Sequence, residues 1–144
     1  MIKSKKNILI VNYYYSPINN GAIQRMVNFK KYLEKYGFNV FVLTTNSYGI
    51  CSDDVKNGVY RFSDIGYDYI QSNSICKISK FLFRAIRRIL LYLGFILDGK
   101  FYWKINVLNS LDRLFENKKF DCVIASYPTP VNLELGEIIH KKYH

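Results

Sequence analysis

Gly21 and Ala22 stand where a loop rich in tyrosine and asparagine gives way to a helical pattern. Backbone N–H groups at such a helix start are free of helical partners and can hold an anion, a phosphate above all. The plainer reading is that Gly21 makes a turn. Tyr15 and Arg25 flank this point, and Ser126 and Tyr127 offer hydroxyl groups that could touch a ligand hydroxyl or simply belong to a turn and a helix cap. No acid–base pair with demanding spacing accompanies them. Asp53, Asp54, Asp64 and Asp68 lie in the weakly patterned residues 47–74, from which acceptor contacts could come. His140 and His144 fall at the far end of the last helical segment, away from the loop. The catalytic residues stay unassigned.

The elements that must position these residues are legible in residues 7–46. Ile8, Leu9, Ile10 and Val11 form an unbroken branched run, the pattern of a parallel strand covered on both faces. Pro17 and the Asn19-Asn20-Gly21 run interrupt regular structure. Ile23, Met26, Val27, Leu33 and Tyr36 then recur near helical spacing, and Gly37 marks the stop. Val40, Phe41, Val42 and Leu43 make the second strand. Strand, helix and strand in this order predict a right-handed crossover in an α/β fold, a Rossmann-like open parallel sheet with helices on both faces. In such sheets ligands sit outside the carboxyl ends of the strands, which here means residues 13–22.

Further along, residues 59–62 read as a short strand and residues 101–117 as a helix with Ile105, Leu108, Leu111, Leu114 and Phe115 facing inward. Cys122, Val123, Ile124 and Ala125 form another strand. Thr129 is placed to cap the helix beginning at Pro130, with Glu134 near its positive end. If the strands are parallel, residues 126–128 share a sheet edge with residues 13–21.

Two ligand classes are disfavoured. A dinucleotide site wants G-x-G-x-x-G and an acidic residue after the second strand, where this chain has Thr44, Thr45 and Asn46. The G-x-x-x-x-G-K-[ST] loop of nucleoside triphosphate sites is absent as well.

The apolar strand, Tyr13-Tyr14-Tyr15, Ser16-Pro17, the asparagine-rich turn, Gly21-Ala22 and a helix carrying Arg25 and Asn28 resemble the start of GT-B-fold glycosyltransferases. The nearest likeness is to the retaining, family-4-like group of bacterial polysaccharide and lipid-glycan enzymes. Residues 120–130, FDCVIASYPTP, resemble that family's strand and small-residue loop facing the inter-domain cleft. The two matches leave the middle of the chain unassigned. Family members usually carry two adjacent glycines in the first loop, and this chain has Ala22 at the second.

The resemblance implies sugar transfer from a nucleotide-sugar to a glycan or lipid-linked acceptor in cell-surface polysaccharide synthesis. It implies no metal and no cofactor beyond the donor substrate. The amino-terminal domain of such enzymes mostly receives the acceptor, while the carboxyl-terminal domain holds the donor and a paired acidic motif. With 144 residues, the chain has room for about one domain. The expectation is therefore a single, incomplete acceptor-side domain, residues 1–144, inactive alone and lacking the donor-binding half. The alternatives are a non-catalytic, membrane-associated subunit that docks a separate donor-binding domain, or a nonfunctional truncated product.

Composition narrows the setting. With 49% hydrophobic and 22% charged residues the chain is a globular candidate. Cys51, Cys76 and Cys122 form no C-x-x-C pair, so disulfide frameworks and zinc sites are unsupported and a cytoplasmic location is the default. The net charge of +10 concentrates in a stretch with no acidic residue between Asp68 and Asp98. Within it, residues 77–97 read as a helix. Lys77, Lys80, Arg84, Arg87 and Arg88 fall within roughly 100° of its circumference. Ile78, Phe81, Leu82, Ala85, Ile86, Ile89 and Leu93 lie opposite.

Its apolar tail, residues 89–97, is far shorter than the roughly 20 residues that span a bilayer. Either the apolar face packs on the sheet, or it lies in an anionic membrane interface with the basic residues on headgroups. The second reading places the protein peripherally on the inner face of the cell membrane. No nucleic-acid-reading motif is present, and the expected partners do not include nucleic acid.

Overall fold

The computed structural model describes residues 5–51, 54–94, 96, 98–115 and 118–143. Four strands and five helices follow one another as β1 (Asn7–Val11), α1 (Gly21–Lys35), β2 (Asn39–Thr45), β3 (Val59–Phe62), α2 (Ile65–Gln71), α3 (Lys77–Tyr92), α4 (Phe101–Phe115), β4 (Cys122–Ala125) and α5 (Pro130–Tyr143). The strands form one parallel sheet in the order β3-β2-β1-β4, the α/β open sheet that the strand patterns predict. Asp53, His144 and the tail positions Phe95 and Leu97 fall outside the described residues.

Alternation along β1 sorts the core into two layers, because successive side chains point to opposite faces. Ile8 and Ile10 join Val40, Val42 and Val59 beneath Met26, Val27 and Leu33 of α1. Leu9 and Val11 join Leu43, Phe62, Trp103, Val107, Leu111, Val131 and Leu135 on the face covered by α4 and α5. Right-handed crossovers require this division: α1 leads from β1 to a strand on one side, and α4 leads to a strand on the other.

Some helix faces differ from the expected ones. In α4 the buried positions are Trp103, Val107, Leu111 and Phe115, and Ile105 is exposed. The bulky indole and phenyl rings, stacked edge-on against Tyr13 and Phe120, set the helix rotation. Tyr36 is a C-cap residue and is exposed rather than packed. Gly37 (φ 89°) and Gly94 (φ 75°) end α1 and α3 in the left-handed conformation that glycine adopts without strain. For α3 this stop falls short of residue 97.

Thr129 does not cap α5 through its side chain; its hydroxyl is buried without a hydrogen-bond partner. Asp98 serves the helix start, accepting from the Val131 N–H at 3.3 Å and the Lys100 N–H at 2.6 Å. Glu134 is committed to Lys104, 2.6 Å away. The connection between β2 and β3 is held by Arg61, whose guanidinium pairs with Asp54 and donates to the Ser16 and Thr45 carbonyls. Asp54, a possible ligand contact by sequence, is thus a buried structural group.

Candidate functional site

Strand order locates the site. From β1 the chain runs to β2 on one side, while β4 lies on the other, so the loops after β1 and β4 diverge and leave a gap between them. The gap is a crevice of about 150 Å³ lined by Asn12, Tyr14, Asn20, Ala22, Ile23, Ser126, Tyr127 and Pro128. Of the residues singled out by sequence, Ala22, Ser126 and Tyr127 meet here. Gly21 begins α1 beside them, and a methyl group added to it would meet nothing within 4 Å. Asn20 caps the helix, its side chain accepting from the Ile23 N–H at 3.0 Å.

Tyr15 and Arg25 do not join the crevice. Tyr15 is buried in the layer beneath α1, and burial pushes its phenol up to about 12. Arg25 lies with Met26, Phe29 and Tyr32 on the outer side of α1. Two of the larger hollows elsewhere bear comparison. One, about 330 Å³, runs along α1 past Tyr15 to Asp54, but its buried charges are already paired as Lys30–Glu34 and Asp54–Arg61. The other is an open groove along α3. The crevice is the hollow at the sheet's carboxyl edge that draws on both diverging loops, which is why it is the candidate despite its size.

The floor of the crevice rests on a residue that the sequence reading passed over. Asn132, in the first turn of α5, is fully buried. Its Oδ1 accepts from the Tyr13 N–H at 3.0 Å, and its Nδ2 donates to the Ser126 carbonyl at 2.6 Å and to Asn12 Oδ1 at 3.3 Å. One amide thereby ties the end of β1 to the end of β4. An asparagine inside an otherwise apolar helix turn was the available signal, since it is a poor helix former that needs partners when buried.

Behind Tyr14 stands a second group of residues not foreseen from sequence. The Tyr13 hydroxyl donates to Asp64 Oδ2 at 2.7 Å, and Asp64 Oδ1 accepts from the Tyr67 N–H at 3.1 Å. Lys100 Nζ lies 4.3 Å from the centre of the Tyr13 ring and 5.7 Å from those of Tyr14 and Tyr67. Tyr48 completes the cage, 5.6 Å from Tyr14 and 5.2 Å from Tyr67. Burial lowers the Lys100 ammonium below its usual range, against the pull of Asp64 and Asp98. Burial raises the Asp68 carboxyl, helped by the negative Asp64. Tyr13 and Tyr48 are raised far above the ordinary phenol value, again chiefly by burial.

The end of β2 is equally committed to structure. The buried Thr44 hydroxyl donates to the Tyr13 carbonyl at 2.9 Å, where a dinucleotide site would present a carboxylate. Among the described residues no group of histidine, cysteine or carboxylate side chains could hold a metal.

Comparison with protein-family models, with curated proteins and with solved structures returned no match.

Two outcomes follow from this geometry. Asn132→Ala strands the Tyr13 N–H and the Ser126 carbonyl, and should cost about 2–4 kcal/mol in urea unfolding. Ser126→Ala, whose hydroxyl faces only the Tyr127 carbonyl, should cost less than about 0.5 kcal/mol. Equal losses for the two would contradict the assignment.

The second outcome concerns alkaline pH. Tyr13 and Tyr48 hold their protons to higher pH than unfolded tyrosines, which titrate near pH 10 (roughly). Above that value the unfolded chain binds fewer protons, so stability falls as pH rises. Lys100 acts oppositely, its buried charge being relieved up to about pH 10.4, the unfolded lysine value. Unfolding should therefore set in above about pH 10, with the phenolate absorbance of Tyr13 and Tyr48 and the loss of ellipticity rising together. Ionisation of all the tyrosines well before unfolding would contradict the cage.

Proposed function

We propose that this chain is the acceptor-side domain of a glycosyltransferase. It would line one wall of a cleft in which sugar passes from a nucleotide-sugar to a glycan or lipid-linked acceptor, on the inner face of the cell membrane. One observation carries the reading. The two segments that resemble the GT-B family, residues 13–22 and 120–130, are far apart in sequence yet line the same crevice.

The crevice suits an acceptor wall. Tyr127 is largely exposed and Tyr14 half-buried, so both can offer ring surface to the apolar face of a sugar. Ser126, Asn20 and the backbone at the start of α1 supply polar groups around them. The volume is well below the roughly 300–1,000 Å³ of a complete small-molecule pocket, as suits one half of a two-sided site. A donor-binding domain, in the same polypeptide or another, would supply the opposite wall.

Among the described residues that line the crevice there is no Asp, Glu or His. That favours a division of labour in which this wall positions the acceptor and the acid–base chemistry lies on the donor side. It equally supports the second reading, a non-catalytic partner subunit of a split enzyme.

The isolated 144-residue chain should bind members of a panel of bacterial surface oligosaccharides and show no transfer from nucleotide-sugars. Tyr127→Ala should weaken oligosaccharide binding about tenfold with unchanged unfolding. Robust turnover by the isolated chain, or binding indifferent to Tyr127, would overturn the proposal.

A further inference from the structure

α3 is attached to the protein by the wrong stripe for an ordinary amphipathic helix. Its inward side is Ser79, Phe83, Arg87 and Leu90, all half-buried. The Ser79 hydroxyl meets Tyr69, and the Phe83 ring lies 4.9 Å from Tyr69 and 5.6 Å from Tyr102. Arg87 turns towards the loop before α4, where a methyl group on Gly99 would stand 3.1 Å from its Nη1. Of the helix's large apolar residues, Ile78, Phe81, Leu82, Ile86, Ile89 and Tyr92 are each more than half exposed, as is the capping Leu93. Of the two readings of this apolar face, packing on the sheet is therefore not the one found.

The cations are divided in the same way. At 100° per residue the exposed apolar residues occupy an arc of roughly 140°. Lys77, Arg84 and Arg88 border that arc on one side and are exposed, whereas Lys80 and Arg87 fall on the half-buried side. Lys77 and Arg84 flank Ile78 and Phe81 along an open groove of about 580 Å³.

We infer that α3 is an interfacial docking helix whose occupant is an anionic lipid surface. Its Phe81–Ile89 side enters the acyl boundary, and Lys77, Arg84 and Arg88 rest on the headgroups. Charge complementarity selects this occupant. The apolar arc carries no carboxylate along about 24 Å of helix, and its single charged border is wholly basic. The phenyl and phenol rings of Phe81 and Tyr92 lie within the exposed arc, as interface-seeking aromatic rings do in amphipathic helices. Among the described residues no helix is long and apolar enough to cross a membrane, so contact is from one side. Arg87, half-buried and packed near Gly99, lies outside the proposed lipid contact.

The inference goes beyond the crevice, and its test needs no sugar ligand. The intact chain is floated with vesicles of phosphatidylcholine alone or mixed with phosphatidylglycerol, at low and high salt. Binding should require the anionic lipid and weaken with salt. Arg84→Glu/Arg88→Glu should lower the partition coefficient at least about tenfold, given the contribution of each basic residue near such a surface. Phe81→Ser/Ile89→Ser should lower binding at both salt concentrations. Arg25→Glu/Lys31→Glu, the same change in net charge on α1, should leave it nearly unchanged.

Circular dichroism confirms that each variant is folded. Equal binding to neutral vesicles, indifference to the α3 variants, an equal effect of the α1 variant, or self-association in place of vesicle binding would overturn the inference.

Discussion

The carboxamide of Asn132 holds the carboxyl edge of this sheet together. Hydrogen bonds to Tyr13, Ser126 and Asn12 fix the ends of β1 and β4 against the first turn of α5. Parallel strands end in unpaired backbone groups where their loops diverge, and such groups are costly when buried without partners. An amide can both donate and accept, so it satisfies a backbone N–H and a backbone carbonyl on different strands at once. An apolar residue of the same size could do neither. The crevice is the space left above this junction, and its walls are held by that one side chain and the Asn20 cap.

The same edge is stiffened from behind. Tyr13 is bound through its N–H, its carbonyl and its hydroxyl, by Asn132, Thr44 and Asp64 respectively. Its ring carries the Lys100 ammonium on one side and meets Trp103 edge-on at 5.2 Å. These contacts absorb the polar groups that a dinucleotide site would need at the end of β2. They leave Tyr14, next in sequence, as the residue that connects the packed cage with the open crevice. Rigid support behind an accessible aromatic surface suits the recognition wall proposed above.

Much of the sheet is readable from residues because parallel strands leave continuous apolar runs, in residues 8–11, which are buried on both faces, and also in the edge strand 122–125, which is only half-buried. The location of the crevice followed from strand order, and the meeting of Ala22 with Ser126 and Tyr127 needed only that β1 and β4 be neighbours. Asn132 and Lys100 were not legible, since their roles depend on contacts between segments distant in sequence. The exclusion of Tyr15 has the same origin, since the loop after β1 sends consecutive side chains to different sides of the sheet edge, whereas Arg25 is turned away on the outer side of α1. In α3 the periodicity separated the apolar from the basic residues. It could not say which arc meets the protein, because Phe83, Tyr69 and Tyr102 settle that by ring packing.

The glycan-binding wall proposed above would rest on the junction built on Asn132. Mapping backbone amide shifts during titration with a binding oligosaccharide tests it most directly. Perturbations should concentrate at Asn12, Tyr14, residues 20–23 and residues 126–127. Perturbations confined to the hollow along α1, at Lys30, Glu34 and Asp54, would contradict it.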